Sequence, residues 1–589
     1  LRYSSAMMAK RFIAGENIAK SLPTLKQLSQ TGRDATLDQL GELVLCEEEA
    51  DNYKNKVLEI IAGLKNMYPS GQKNGAGILR AHISIKTTAL GSQLKAHAYA
   101  DSYQKIAPRL KKILLAAKEA KVFVNIDAEH YHFRDLVWKI YSEVLKENQE
   151  LYSWEDTGIV VQAYLTDAVA HLQQILQFQA ERKINMPIRL VKGAYWDAET
   201  IEAQAHHFEA PQFLNKIETD LHFRQLAYEL LANPYVQLVI ASHNVLDHSY
   251  VEALRTTLFS QAPMIEHQCL HMTYEALSVS LVKMGYVVRN YMPVGNLLVG
   301  MAYLVRRIME NSSQVGVLKM LRSHKTLNPD QDVLQDWSIS QSSWQHSHLS
   351  SYQEEIFCNV SPVRLYTFGK WQHFEQVKKT FNSYKRENGI FASYMTTDPA
   401  SVAQQMNTMH QNWSKQSWKD DVVRRSLTLL QLAEWFSLFR DELAILIIQE
   451  AHKSILEAYA DIDEAIDFIV FYVEQFLENP QHEKLHALGV VAAIAPWNFP
   501  LAIPTGMVVA PLIAGNVVVL KSAEQTPQIA QVFTNFFYQA GGTKDQLKHF
   551  VGSGESVGVA VTQSPDLHGL VFTGSAAVGT MLYKNLSGK

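Results

Sequence analysis

Cysteine is scarce in this chain, and so is any excess of positive charge. Only three cysteines occur in 589 residues, Cys46, Cys269 and Cys358, and no two of them form a CxxC pair. This spacing argues against a disulfide framework or a structural metal site, and it favours a reducing compartment. The formal net charge is −5 and no basic stripe is present. We therefore expect no nucleic-acid binding by this stretch.

A long uninterrupted hydrophobic helix is also lacking, although residues 485–520 imitate one because they contain no charged residue. The prolines at positions 496, 500, 504 and 511 interrupt the run. A lipid-exposed helix could not satisfy the backbone groups that these prolines leave unbonded. The run instead predicts a buried strand, a turn, a helix and a second buried strand.

Seven short runs rich in β-branched residues recur through the first 310 residues, and helical stretches separate them. Strand, helix and strand at this period predict βαβ units and a parallel sheet. With an eighth strand that the pattern does not reveal, the runs predict a (β/α)8 barrel. The runs are 82–86, 122–127, 159–164, 188–196, 236–244, 264–270 and 287–293.

Polar residues fall at the carboxyl ends of these runs, where such barrels carry their chemistry. Any one of them could be a polar residue that only caps a strand, but seven in register favour a functional site. They are Lys86, Asp127, Gln162, Lys192, His243, Gln268 and Tyr291.

Residues 303–310 read YLVRRIME and place two adjacent arginines in a predicted helix. Tyr303 precedes Arg306 and Arg307 by one turn, and Glu310 follows by one turn. Guanidinium groups stay charged and bind carboxylates through two parallel hydrogen bonds, so the pair suits a small amino-acid carboxylate. The alternative is a solvated helix face with an Arg306–Glu310 ion pair.

An ordered set of motifs along residues 11–311 resembles the proline dehydrogenase family. RLVKGAYWD at 189–197 is the most specific of them. The others are RFIAGE at 11–16, TLDQLGE at 36–42, SIK at 84–86, NIDAE at 125–129, VQAY at 161–164, SHN at 242–244, QCLH at 268–271, YMPVG at 291–295 and YLVRR at 303–307.

The resemblance implies FAD held on the barrel, and residues 1–330 contain no GxGxxG that follows a strand. Arg189 matches a cation near flavin N5, where positive charge stabilises the reduced flavin. The positions that the resemblance assigns to the cofactor are Gln162, Arg189, Lys192, Gly193, Ala194, Trp196, His243 and Gln268.

The resemblance also implies L-proline as the substrate and Δ1-pyrroline-5-carboxylate as the product. Arg306 and Arg307, with Glu310 beside them, would fix the carboxylate, and Glu42 could neutralise Lys86. The reduced flavin would pass its electrons to a membrane quinone. Such transfer implies a cytoplasmic protein in peripheral contact with the inner face of the bacterial membrane. The positions that would face the substrate are Lys86, Asp127, Leu270, Tyr291 and Tyr303.

Residues 356–589 resemble the N-terminal part of an aldehyde dehydrogenase. The motifs are EAHKS at 450–454, APWNFP at 495–500, KSAE at 521–524, GSGESVG at 552–558 and FTGS at 572–575. The resemblance implies a Rossmann-like α/β domain that holds NAD through Trp497, Lys521, Glu524 and Ser575. Asn498 would donate to the oxyanion formed on the aldehyde.

The two resemblances together predict a barrel at 1–325, a polar linker at 326–355 and an incomplete aldehyde dehydrogenase domain at 356–589. This order is similar to the bifunctional proline utilization A family. The aldehyde nucleophile and general base are expected beyond FTGS. We therefore expect oxidation of glutamate semialdehyde only in a longer parent protein.

Two other interpretations stay open at the level of sequence. The second domain could be a non-catalytic scaffold or an oligomerisation module, since a homo-oligomer is compatible with the sequence. The parent could also act as a proline-responsive DNA-binding repressor, although the acidic balance of this stretch weighs against that role here.

Overall fold

The structure is a computed structural model that describes residues 13–41, 43–205, 209–296, 371–383, 394–415, 417–479, 481 and 484–587. The chain divides into two compact units. The described part of the first is a barrel, and that of the second is an α/β sheet domain with a helical lead-in.

Eight parallel strands close the barrel in chain order, which confirms the predicted (β/α)8 architecture. All seven predicted runs contain a strand. The strands are β1 (Arg33–Gln39), β2 (His82–Ile85), β3 (Phe123–Ile126), β4 (Thr157–Gln162), β5 (Met186–Val191), β6 (Val236–Ala241), β7 (Glu266–Leu270) and β8 (Val287–Val294).

Helices surround the barrel and bury their apolar faces against the strands. In the helix Tyr99–Ala120, residues Ile106, Leu110, Ile113 and Ala117 recur at helical spacing and are all buried. The helices are α1 (Ile18–Gln30), α2 (Glu47–Met67), α3 (Tyr99–Ala120), α4 (Tyr131–Lys146), α5 (Gln149–Tyr152), α6 (Ala168–Arg182), α7 (Trp196–Ala205), α8 (Lys216–Ala232), α9 (Val245–Leu258) and α10 (Glu275–Lys283).

β1 is the strand that the sequence pattern did not reveal. Only Ala35 and Leu37 are apolar among its seven residues, yet the whole strand is buried. Its polar side chains alternate and find partners: Asp34 pairs with Arg80, Thr36 lies 3.1 Å from Ser84, and Asp38 pairs with Lys86. Burial of polar residues that are bonded to one another removes the hydrophobic signal on which strand prediction depends.

The second unit contains a four-stranded parallel sheet in the order β11-β10-β9-β12. The strands are β9 (Val490–Ile494), β10 (Val517–Lys521), β11 (Leu547–Phe550) and β12 (Gly569–Phe572). This order corresponds to 3-2-1-4 in chain sequence, as in a Rossmann half, and confirms the predicted α/β class.

Helices cover this sheet and precede it. Within the uncharged run, β9, a helix and β10 follow one another as predicted. Among the described helices, none has the length and apolar character needed to cross a membrane. The remaining helices are α11 (Trp371–Ser383), α12 (Pro399–Lys415), α13 (Val422–Leu438), α14 (Arg440–Ala451), α15 (Ile455–Glu478), α16 (Ala502–Ile513), α17 (Pro527–Gln539), α18 (Val559–Gln563) and α19 (Ala576–Leu586).

Candidate active site

A cavity of about 310 Å³ opens at the carboxyl ends of the barrel strands. It brings together most residues that the sequence predicted for the barrel site, because parallel strands end at one edge of the barrel. The predicted residues that line it are Lys86, Asp127, Gln162, Arg189, Lys192, Gly193, Ala194, His243, Gln268, Leu270 and Tyr291.

Asp127, just after β3, is the centre of a buried hydrogen-bond network. Arg189 Nη1 donates to Asp127 Oδ1 at 2.7 Å, and the Tyr291 hydroxyl donates to Asp127 Oδ2 at 2.6 Å. The guanidinium of Arg189 also donates to Ser84 at 2.9 Å and lies over the ring of Tyr291. Burial and the nearby carboxylate raise the pKa of Tyr291 well above its usual value, so its hydroxyl keeps its proton.

Lys86, at the end of β2, has Asp38 as its counterion. Lys86 Nζ donates to both carboxylate oxygens of Asp38, at 2.7 and 2.8 Å. The sequence had suggested Glu42 for this role, and Glu42 lies outside the described residues. The sequence analysis did not select Asp38, which is the observed counterion.

Lys192 forms a third ion pair in the wall of the cavity. Its Nζ lies 2.5 Å from Asp220 Oδ1 and 2.9 Å from Asp247 Oδ2. These two carboxylates raise the pKa of Lys192 against the effect of burial, which is the largest single influence. Each of the lysine and arginine side chains in the described lining therefore already faces an aspartate.

Gly193 shows how closely the RLVKGAYWD loop packs. Its φ is +142°, and a Cβ at this position would lie 2.2 Å from the ring of Tyr164. The hydroxyl of Tyr164 in turn donates to Glu199 on α7 at 2.6 Å. Glu199 also accepts the backbone N–H of Tyr131 at 2.7 Å. Glu199 thus ties the loop to the start of α4.

Replacing Glu199 by Gln is expected to flatten the pH dependence of stability. Burial raises the pKa of Glu199 from 4.5 to about 7, against hydrogen bonds from Tyr164 and Tyr131. The folded state then binds the proton more tightly, so this contribution is complete below pH 4.5 and is lost as the pH rises through about 7. The loss is on the order of 1–3 kcal/mol of unfolding free energy.

Thermal unfolding from pH 5 to 8 checks this expectation. Wild type should lose stability across the range by more than Glu199→Gln does, while Glu181→Gln, at an exposed position on α6, should follow wild type. Parallel pH profiles for all three proteins would show that Glu199 titrates normally.

Three buried polar atoms in the cavity wall have no hydrogen-bond partner among the described residues, and they point to a bound polar group. They are Gln162 Oε1, Arg189 Nε and Gln268 Oε1. Buried polar atoms in proteins are nearly always bonded, so a ligand is expected to complete them. His243 Nε2 accepts the backbone N–H of Leu270 at 3.0 Å, which leaves the proton of a neutral ring on Nδ1. These donor and acceptor atoms fit the polar edge of a flavin ring.

Not every predicted barrel residue lies in this cavity. Trp196 begins α7, is 40% exposed, and donates its indole N–H to the carbonyl of Phe213 at 2.9 Å. Tyr303, Arg306, Arg307 and Glu310 lie outside the described residues.

A second cavity, of about 480 Å³, lies in the sheet domain. Trp497 and Asn498 line it from the turn after β9, and Ser575 lines it from the turn after β12. β9 pairs with β10 on one side and β12 on the other, so strand order reverses here. Open α/β sheets bind nucleotides at such a switch point.

The other predicted nucleotide residues lie near strand ends but do not line this cavity. Lys521 is buried at the end of β10, and burial lowers its pKa. Glu524 is exposed and accepts the backbone N–H of Gly554 at 2.8 Å. Ser575 caps α19, because its hydroxyl accepts the backbone N–H of Val578.

Lys453 holds the turn that carries Asn498. Its ammonium donates to the carbonyl of Asn498 at 3.1 Å and to Asp461 at 3.0 Å. Sequence reasoning missed this contact, although Lys453 lies within the EAHKS motif.

Family comparisons agree with both halves of this description. Residues 21–320 match the proline dehydrogenase family, and residues 371–589 match the aldehyde dehydrogenase family. The chain is 29% identical to Bifunctional protein PutA of Klebsiella aerogenes over 99% of its own length and 47% of that protein. The chain thus spans about half the length of the curated bifunctional relatives that it matches.

One further relative matches the barrel part of the chain, and one solved structure matches nearly the whole chain. Proline dehydrogenase 1 of Bacillus subtilis is 28% identical over 54% of this chain and 93% of its own length. The crystal structure of proline utilization A from Bdellovibrio bacteriovorus inactivated by N-propargylglycine has a TM-score of 0.83 at 29% identity. That match covers 98% of this chain and 64% of the other.

Proposed function

Because the chain belongs to the proline dehydrogenase family, we propose that its barrel binds FAD and oxidises L-proline to Δ1-pyrroline-5-carboxylate. The observation that carries this proposal is the cavity at the strand ends. Its lining contains the Asp127–Arg189–Tyr291 network and three unpartnered polar atoms, which belong to Gln162, Arg189 and Gln268.

The residues of this cavity divide into two sets. Gln162, Arg189, Lys192, Gly193, Ala194, His243 and Gln268 would hold the cofactor, and Trp196 would approach it from the start of α7. FAD bound there supplies the hydride acceptor. Leu270 and Tyr291 would pack against the proline ring, together with Tyr303. Asp127 fixes the hydroxyl of Tyr291, so that wall is held in place.

The carboxylate of proline needs a cation that is not already neutralised. In the described lining, Lys86, Arg189 and Lys192 each face an aspartate. We assign Arg306 and Arg307 to the carboxylate, with Glu310 beside them, on the strength of the sequence resemblance.

We further propose a quinone as the acceptor of the electrons, with reversible contact between a cytoplasmic protein and the membrane. The second unit would bind NAD through Trp497, Lys521, Glu524 and Ser575, and Asn498 would stabilise the oxyanion of an aldehyde. The cavity at the switch point supports this assignment. In a longer parent, these residues would serve glutamate semialdehyde oxidation.

The proposed activity is tested by proline-dependent dye reduction with purified, FAD-loaded protein. We expect L-proline to reduce the dye and to yield a product two hydrogens lighter, detected by mass spectrometry. D-proline and Asp127→Ala are the controls, and both should give far lower rates. A flavin-loaded protein that reduces the dye with neither enantiomer would refute the proposal.

A further inference from the structure

Asp38 lies behind the cavity wall, on the strand whose sequence does not look like a strand. Its side chain is completely buried, and both carboxylate oxygens accept hydrogen bonds from Lys86. Lys86 is itself 6% exposed and lines the cavity. The buried Asp38 carboxylate thus contacts Lys86, and Lys86 in turn lines the cavity in which substrate would bind.

A lysine in such a wall needs help to keep both its charge and its position. The side chain is flexible, and burial disfavours the ammonium form unless a counterion is near. Asp38 provides that counterion from β1, whose register places Asp38 opposite Ser84 on β2. The backbone N–H of Lys86 is fixed as well, because it donates to the Tyr53 hydroxyl at 3.0 Å.

We propose that Asp38 is a positioning residue of the substrate site. Its carboxylate holds the Lys86 ammonium at the cavity wall, where that ammonium would contact bound substrate. This inference rests on the proposed function, because it takes the cavity that Lys86 lines to be the proline site. Asp38 itself does not line the cavity and acts through Lys86.

The electrostatics of the pair agree with this role. The pKa of Asp38 is raised to about 6, chiefly by burial; repulsion from Asp127 adds to this rise, and Lys86 opposes it. Lys86 is the main influence that favours the charged Asp38 carboxylate, and loss of either partner leaves the other without the ion pair at 2.7 Å.

Asp34→Asn is a matched control for Asp38→Asn. Asp34 lies on the same strand, is 7% exposed, and pairs with Arg80 at 2.8 Å, but it does not line the cavity. We expect Asp38→Asn to raise the KM for proline about tenfold or more at unchanged FAD content per folded protein. Asp34→Asn should lower the melting temperature and leave KM within about twofold of wild type. Equal KM values in the two variants would overturn the inference.

A double-mutant cycle with Lys86→Met separates positioning from general stability. If Asp38 acts through Lys86, then adding Asp38→Asn to Lys86→Met should change KM by less than about twofold. The double variant should also melt at a higher temperature than Asp38→Asn, since no unpaired ammonium is left buried. If Asp38→Asn alone does not fold, the KM values of Lys86→Met and the double variant are compared to test the inference. If the effects of the two single substitutions on KM multiply in the double variant, Asp38 acts independently of Lys86.

Calorimetric titration of the same proteins with L-proline distinguishes failure of this inference from failure of the proposed function. A wild type that binds proline without oxidising it would refute the proposed function, and the affinities of the variants would still test Asp38. A wild type that does not bind proline would overturn both. Weaker binding in Asp38→Asn, with wild-type affinity in Asp34→Asn, is the expected result.

Discussion

Replacing Arg189 by Met is expected to lower the flavin midpoint potential and to slow reduction by proline about a hundredfold or more. Arg189 is buried and donates to Asp127 at 2.7 Å and to Ser84 at 2.9 Å. Its loss leaves the Asp127 carboxylate without a guanidinium partner and removes the positive charge that favours reduced flavin. Breaking a buried ion pair typically costs about 3–5 kcal/mol, and about 1.4 kcal/mol corresponds to a factor of ten.

Spectroelectrochemical titration of the variant with FAD still bound measures this effect, and stopped-flow reduction gives the rate. Arg189→Lys keeps the charge and should keep most of the potential while losing the paired hydrogen bonds. A Met variant with wild-type potential and wild-type reduction rate would reduce Arg189 to a structural strand residue.

Replacing Arg306 or Arg307 by Met is expected to raise the KM for proline by a factor on the order of ten to a thousand, because lost charged hydrogen bonds cost about 1.5–3 kcal/mol or more when buried. The described lining supports the need for such cations. Its own lysines and arginine already face Asp38, Asp127, Asp220 and Asp247. An additional negative charge from the substrate would otherwise stay unbalanced.

Steady-state kinetics with each single variant provide the measurement, and FAD content should hardly change. Arg182→Met is a control, because Arg182 donates to backbone carbonyls of Tyr152 and Trp154 away from the cavity. Its KM should stay near the wild-type value. Unchanged KM in both Arg306→Met and Arg307→Met would return the pair to the alternative of a surface ion pair with Glu310.

The barrel could be predicted because its strands carry two signals at once. β-branched runs such as residues 236–241 mark buried strands, and polar residues at their carboxyl ends mark the face that carries chemistry. Both signals depend only on neighbours in sequence. The sequence therefore predicts Lys86, Asp127, Gln162, His243, Gln268 and Tyr291 at one edge of the barrel, and they line one cavity.

β1 could not be predicted, because its stability comes from partners that are distant in sequence. Asp38 needs Lys86, which follows β2, and Asp34 needs Arg80. A segment with three charged and only two apolar residues among seven looks like a solvated surface when its partners are not evident. Glu199 was missed for a similar reason, since its partners Tyr131 and Tyr164 come from two other elements.

The most direct test of the central claim is the visible absorbance of the purified, FAD-loaded protein under anaerobic conditions as L-proline is added. The cavity of the barrel, with Arg189 beside unpartnered polar atoms, predicts a flavin band that bleaches with L-proline and returns when an electron acceptor is added. A protein that holds no flavin after reconstitution, or whose flavin band is unchanged by saturating L-proline, would contradict this account.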